Sequence, residues 1–146
     1  MSLAITSAPL AATRLGRDRA DRGLFRVREL SATTVLITAE GEVDASNSGD
    51  MLRYVEENVA GYQQLVLDLS RLTFFGTDGF SALHTLDMRC SRRGIQWVVV
   101  PGAEAGRMLR VCDPEGLLTA AGNIVSAVAA LARGPHAHLK LAPLAK

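Results

Sequence analysis

Residues 65–81 read LVLDLSRLTFFGTDGFS. In an extended chain Leu65, Leu67 and Leu69 fall on one side and Val66 and Asp68 on the other. Both sides are apolar as far as Asp68, the pattern of a central strand covered on both faces, as in parallel sheets. Residues 71–76 (RLTFFG) are expected to form a turn and short extension. A helix follows from about Thr77 to Arg92, because Ala82, Leu83, Leu86 and Cys90 recur at the spacing of one helical face. Arg89, Arg92 and Arg93 suit the negative end of its dipole, and Gly94 stops it.

Upstream, residues 24–30 (LFRVREL) and 33–40 (TTVLITAE) read as two strands, with Ser31-Ala32 as the tight link of an antiparallel hairpin. Met51, Leu52, Val55 and Val59 then mark one face of a helix. Asp44, Ser46 or Asn47 is placed to cap its start, and Gly61 lies just past its end. Downstream, residues 95–100 (IQWVVV) form a further strand closed by Pro101-Gly102. Ala105, Met108, Leu109 and Cys112 mark a short helix ending before Pro114, and Leu117-Leu118 reads as a brief edge strand. Ile124, Val125, Val128 and Leu131 mark a last helix behind Asn123, its expected N-cap. The order β-β-α-β-α-β-α-(β)-α predicts a single α/β domain: a mixed sheet, largely parallel, packed with about four helices. Residues 1–23 read as a flexible basic leader, 24–132 as the domain, and 133–146 as a flexible tail.

The 146 residues carry a net charge of +1, with 48% hydrophobic and 21% charged side chains. That composition excludes disorder throughout the chain and allows one real core. Near-neutral charge argues against direct nucleic-acid binding. No apolar run approaches the roughly 18 residues that span a bilayer, so no membrane association is expected. Arg14, Arg17, Arg19, Arg22, Arg26 and Arg28 crowd near the N-terminus, read as a solvated arm leading into the first strand, with a phosphate- or lipid-binding patch as the other reading. The N-terminus has no charged n-region and its apolar stretch is broken by Thr6, Ser7 and Pro9, so a cytoplasmic location is expected.

Chemistry-bearing motifs are absent. No GxGxxG, GxxxxGK[ST] or GxSxG occurs. His84, His136 and His138 are the only histidines, and no Ser/Asp arrangement points at His84. No enzyme activity, cofactor or metal site is expected. Cys90 and Cys112 lack CxxC spacing and a nearby His. They read as small buried hydrophobes, with a redox pair as the other reading.

Thr77 and Asp78 are the first polar residues of the second helix, where unpaired N–H groups and the positive dipole end tolerate negative charge. Thr77 reads there as an N-cap, Asp78 as a dipole partner, and Gly79 as a point of close packing. A hydroxyl at this place is also suited to phosphorylation, which adds about −1.5 to −2 charge.

These residues resemble the STAS domain family, and specifically its anti-sigma factor antagonists. Gly41-Glu42-Val43-Asp44 is similar to the family's Gly-Glu-hydrophobic-Asp at the end of the second strand. Leu65–Ser70 and then Leu72-Thr73-Phe74-Phe75 resemble its strand and approach to a switch loop. Gly76-Thr77-Asp78-Gly79-Phe80 stands where the family has Asp-Ser-Ser-Gly-Leu. The resemblance covers roughly residues 24–132. It implies a non-enzymatic antagonist that binds an anti-sigma factor, itself a GHKL-type serine/threonine kinase, and so controls sigma-dependent transcription in a stress response. Phosphorylation at Thr77 would break that complex and a phosphatase would restore it. Glu42, Asp44, Gly76, Asp78, Gly79 and Phe80 would form the partner-binding surface. Gly76 and Asp78 depart from the family pattern, so an unphosphorylated scaffold or sensor subunit among other STAS proteins stays open. A small-ligand-binding STAS domain stays open as well.

Overall fold

The computed structural model describes residues 23–144. The basic leader expected over 1–23 lies outside this range, except for Gly23. Four strands form one mixed sheet in the order β1-β2-β3-β4: β1 is Gly23–Glu29, β2 Thr34–Val43, β3 Gln64–Phe75 and β4 Gln96–Val100. β1 runs antiparallel to β2, while β2–β3 and β3–β4 are parallel pairs. The helices are α1 (Ser48–Val59), α2 (Thr77–Arg93), α3 (Gly102–Cys112) and α4 (Ile124–Leu144). The expected α/β architecture, with its opening hairpin, is therefore present.

The alternation in residues 65–69 acts as read, because each face of β3 meets a different helical layer. Leu65, Leu67 and Leu69 enter a core with Val35, Ile37 and Val99, under Met51 and Val55 of α1, Leu83 and Leu86 of α2 and Ala105 of α3. On the opposite face Val66 joins Leu36, Val98 and Val100 beneath Ala127 and Leu131 of α4. Side-chain hydrogen bonds tie the layers. The Trp97 indole N–H donates to Asp87 on α2 at 2.9 Å. The Gln64 amide donates to the Leu131 carbonyl on α4 at 3.2 Å.

Several boundaries differ from the sequence reading. β3 does not turn at residue 71 but continues to Phe75, pairing Glu42 with Phe74 and Val43 with Phe75. Register shifts between Thr38/Glu40 and Gly41/Glu42 break strict alternation there, so the period-2 pattern fades while the strand persists. The edge pairing expected at Leu117-Leu118 occurs instead at Thr119–Ala121, where the Val99 N–H donates to the Thr119 carbonyl and the Ala121 N–H to the Val99 carbonyl, both at 2.9 Å. On α4 the buried face is Ala127 and Leu131 with part of Ile124, whereas Val125 is 79% exposed and Val128 40%. Ile124, Ala127 and Leu131 stand at i, i+3 and i+7 on the inner face, and Val125 and Val128 fall outside it. Asn123 does cap α4, accepting the Ser126 N–H at 2.7 Å. The tail expected after residue 132 opens on a break at Gly134, beyond which the backbone is helical to Leu144.

Two phenols report on this packing. The Tyr62 hydroxyl donates to Glu29 at 2.5 Å, and this bond, together with burial, pushes its pKa up to about 12. Burial against Phe25 pushes Tyr54 up as well. A phenol raised in the fold contributes stability that is complete below the unfolded value of 10.0 and is lost as pH rises through the folded value. A spectrophotometric titration should therefore show almost no phenolate in the native protein at pH 10, with absorbance appearing only near 12 or on alkaline unfolding. Half-ionisation of either Tyr at pH 10 in the native state would contradict these contacts.

Candidate functional site

The carboxyl ends of β2 and β3 lie side by side, which brings residues 42–44 against residues 74–76. The Gly76 N–H donates to the Val43 carbonyl at 3.1 Å, pinning the start of α2 to the end of β2. The Thr73 hydroxyl donates to the Gly41 carbonyl at 3.1 Å, a second tie three residues before Gly76. Two segments far apart in sequence thus form one surface.

The loop after β2 is braced from within. Asn47 is only 2% exposed. Its amide oxygen accepts the Asp44 N–H at 2.9 Å and its NH2 donates to the Glu42 carbonyl at 2.9 Å. It stands at the N-cap position of α1 without a side-chain capping bond, because both ends of its amide face back into the loop. The Asp44 carboxylate accepts the Ser46 N–H at 2.9 Å and hydroxyl at 2.7 Å, which fixes its orientation.

At the start of α2 the N-cap is Gly76, and Thr77 is the first helical residue. The capping role expected for Thr77 therefore falls to a residue with no side chain. The physical reason is the tie to Val43, which holds Gly76 extended just before the first turn. The Thr77 and Asp78 side chains are exposed, and the Thr77 hydroxyl makes no hydrogen bond among the described residues. Phe80 is half-buried and packs on the core. Gly79 is buried: a Cβ there would lie 2.5 Å from the Phe75 ring. Its contribution to the surface is thus the close seating of the helix start rather than direct contact.

Phe74 was not singled out by the sequence, yet it is 47% exposed beside this loop, its ring 3.2 Å from where a Gly76 Cβ would stand. The available signal was the adjacent pair Phe74-Phe75 at a strand end: with Phe75 inside, its neighbour must face out. The surface therefore combines an exposed aromatic, a hydroxyl at the positive end of a helix, and the carboxylates of Glu42, Asp44 and Asp78. Exposed aromatic and charged groups side by side are suited to contact with another protein.

Among the described residues no group of His, Cys, Asp and Glu is placed to hold a metal ion. His84 is exposed on α2. Both cysteines are free, Cys90 buried and Cys112 half-buried with its thiol 3.5 Å from the Met108 sulfur. Burial, reinforced by Asp87, pushes the Cys90 thiol up to about 12, which removes the thiolate that disulfide exchange requires. A native-state thiol assay at pH 8 should register Cys112 first, with Cys90 reacting only on unfolding. Equal rates would favour the reading of Cys90 and Cys112 as a redox pair.

Comparison with known proteins agrees with this geometry. The family model of the STAS domain matches residues 26–114. Osmosensory protein A of Mycobacterium tuberculosis is 36% identical over 95 residues, covering 64% of this chain and 60% of that protein. A second protein of that organism, named as an anti-anti-sigma factor, is 36% identical over 91 residues, covering 56% of this chain and 62% of its own. The chain thus spans about three-fifths of the length of these relatives. Among solved structures, an anti-sigma factor antagonist from Mycobacterium paratuberculosis shares the fold with a TM-score of 0.66 at 18% identity, over 76% of this chain and 95% of that one. The anti-sigma factor antagonist SpoIIAA in its unphosphorylated form gives 0.55 at 14% identity, over 68% and 89%.

Proposed function

Because the chain belongs to the STAS domain family, we propose that it acts as an anti-sigma factor antagonist, a binding module rather than an enzyme. The observation that carries this reading is the exposed, unengaged hydroxyl of Thr77 on the first turn of α2, held beside Glu42–Asp44 by the Gly76–Val43 hydrogen bond. A kinase needs a hydroxyl that is accessible and not committed elsewhere, and a helix N-terminus tolerates the phosphate once added. The partner is an anti-sigma factor of the GHKL kinase type, which docks on Phe74, Asp44 and the α2 start. Phosphorylation of Thr77 ends the complex, a phosphatase reverses it, and the output is sigma-dependent transcription in the cytoplasm. Among the described residues no helix is long and apolar enough to cross a membrane.

The names of both a relative and the structural neighbours support this reading. Asp78 beside Thr77 favours a second one, an unphosphorylated scaffold among other STAS proteins, because a fixed carboxylate next to the acceptor opposes a kinase's recognition of it. Affinity capture from the native cytoplasm, followed by incubation of the purified pair with Mg-ATP and peptide mass spectrometry, tests both. Capture of a GHKL-type kinase with phosphate on Thr77 supports the antagonist. Capture of STAS proteins alone, with Thr77 unmodified, overturns it in favour of the scaffold.

A further inference from the structure

The sheet face that α4 covers is only partly closed. Toward β1 it leaves a hollow of about 490 Å³ lined by Arg26 and Arg28 of β1, Leu36, Thr38 and Glu40 of β2, Asp68 and Arg71 of β3, and Ile124 of α4. This volume falls within the range of small-molecule sites. The proposed partner surface plays no part in it. We propose that this hollow binds a small molecule carrying one ammonium and two carboxylates, that is, an acidic amino acid.

The register sets the polarity. Arg26 pairs with Thr38, and Thr38 pairs with Asp68, so these three side chains form one row across three strands. Adjacent strands lie about 4.8 Å apart, which separates Arg26 from Asp68 by about 10 Å. The long arginine stem reduces that gap to one a five-carbon amino acid spans. The row on one side places Arg28 opposite Leu36, and the row on the other side places Glu40 opposite Arg71. The hollow therefore carries Arg26 and Arg28 along β1, Glu40 on β2 between Arg26 and Arg71, Asp68 on β3, and apolar Leu36 and Ile124.

Asp68 is the buried anchor, at 4% exposure. One of its oxygens accepts the Ser70 N–H at 2.9 Å and hydroxyl at 2.6 Å. The other takes no hydrogen bond from a described residue and keeps solvent contact, so a donor entering the hollow can reach it. An ammonium supplies that donor. Arg26 and Arg71 each stand 3.8 Å from Glu40, beyond hydrogen-bond distance, so both retain N–H donors for a ligand. Arg28 has no ion pair among the described residues. Three arginines against two carboxylates leave one net positive charge in the lining, which a ligand of net charge −1 balances. Planar guanidinium groups match carboxylates in geometry as well as in sign.

Titration of the full chain, labelled with nitrogen-15, against L-glutamate, glutarate and 4-aminobutyrate tests the assignment. Glutarate lacks the ammonium, and 4-aminobutyrate lacks one carboxylate. L-Glutamate is expected to give saturable shifts at the Arg26, Thr38 and Asp68 amides and to bind at least tenfold more tightly than either analogue. Arg28→Ala should weaken L-glutamate about tenfold, and Asp68→Asn should weaken L-glutamate but not glutarate. Arg92→Ala, on the end of α2, should change nothing. Should Asp68→Asn fail to fold, the ligand series and Arg28→Ala still decide. Equal binding of glutarate and L-glutamate makes the hollow a simple anion patch and overturns the proposal, as does the absence of saturable shifts in that row.

Discussion

On the proposed antagonist reading, Thr77→Asp should weaken binding to the anti-sigma factor at least about 100-fold while leaving the fold intact. The first turn of α2 already carries Asp78 and presents unpaired N–H groups, so a second carboxylate there is tolerated and even favoured by about 0.3–1 kcal/mol through the dipole. The effect on association is opposite in sign. On the proposed docking face Thr77 lies near exposed Phe74 and on the same surface as Glu42 and Asp44, where a bound partner would exclude water. An added charge buried without a counter-charge costs about 3 kcal/mol or more, so binding should weaken at least about 100-fold. Thr77→Ala should bind within a few-fold of the parent and accept no phosphate. Calorimetric titration with the partner, with circular dichroism to confirm folding, reads both. Unchanged affinity for Thr77→Asp would remove Thr77 from the interface.

Gly102→Ala should lower stability by about 3 kcal/mol, roughly 10 °C in Tm for a domain of this size. Gly102 opens α3 at φ 73, a left-handed conformation that costs a non-glycine residue on the order of 1–3 kcal/mol. An alanine Cβ would also lie 2.5 Å from the Ser70 Cα and 3.2 Å from its carbonyl carbon. These are backbone atoms of β3, unable to rotate aside, so the clash adds about 1–3 kcal/mol. Gly106→Ala, four residues on, where a Cβ would meet only the Arg110 guanidinium at 3.9 Å, is the matched control and should be neutral or slightly stabilising. A thermal melt of the two variants checks the pair. Equal melting temperatures would mean that α3 does not seat on β3 this closely.

Much of the fold was legible. The doubly apolar run 65–69 marked the central strand, because side-chain alternation is a local property of an extended chain. The recurrence of Ala82, Leu83, Leu86 and Cys90 marked α2, and all four are buried as that face requires. The extension of β3 to Phe75 was not legible, because it is held by pairing with β2 across a bulged register rather than by its own pattern. The face of α4 was misread for a related reason. Val125 and Val128 are more hydrophobic than Ala127, but Ala127 shares with Ile124 and Leu131 the face of the helix that meets the sheet.

The same division runs through the functional surfaces. Sequence alone determined the order of elements, the central strand, and the position of a threonine at the start of a helix. These depend on neighbours within a few residues, where period and capping chemistry operate. Tertiary structure alone decided that Gly76 answers Val43, that Phe74 faces outward, and that Arg26, Thr38 and Asp68 share one row. Each of these follows from strand register. A shift of one residue would move every side chain to the other face, and that choice is made by how the two core layers pack rather than by any residue at the sites.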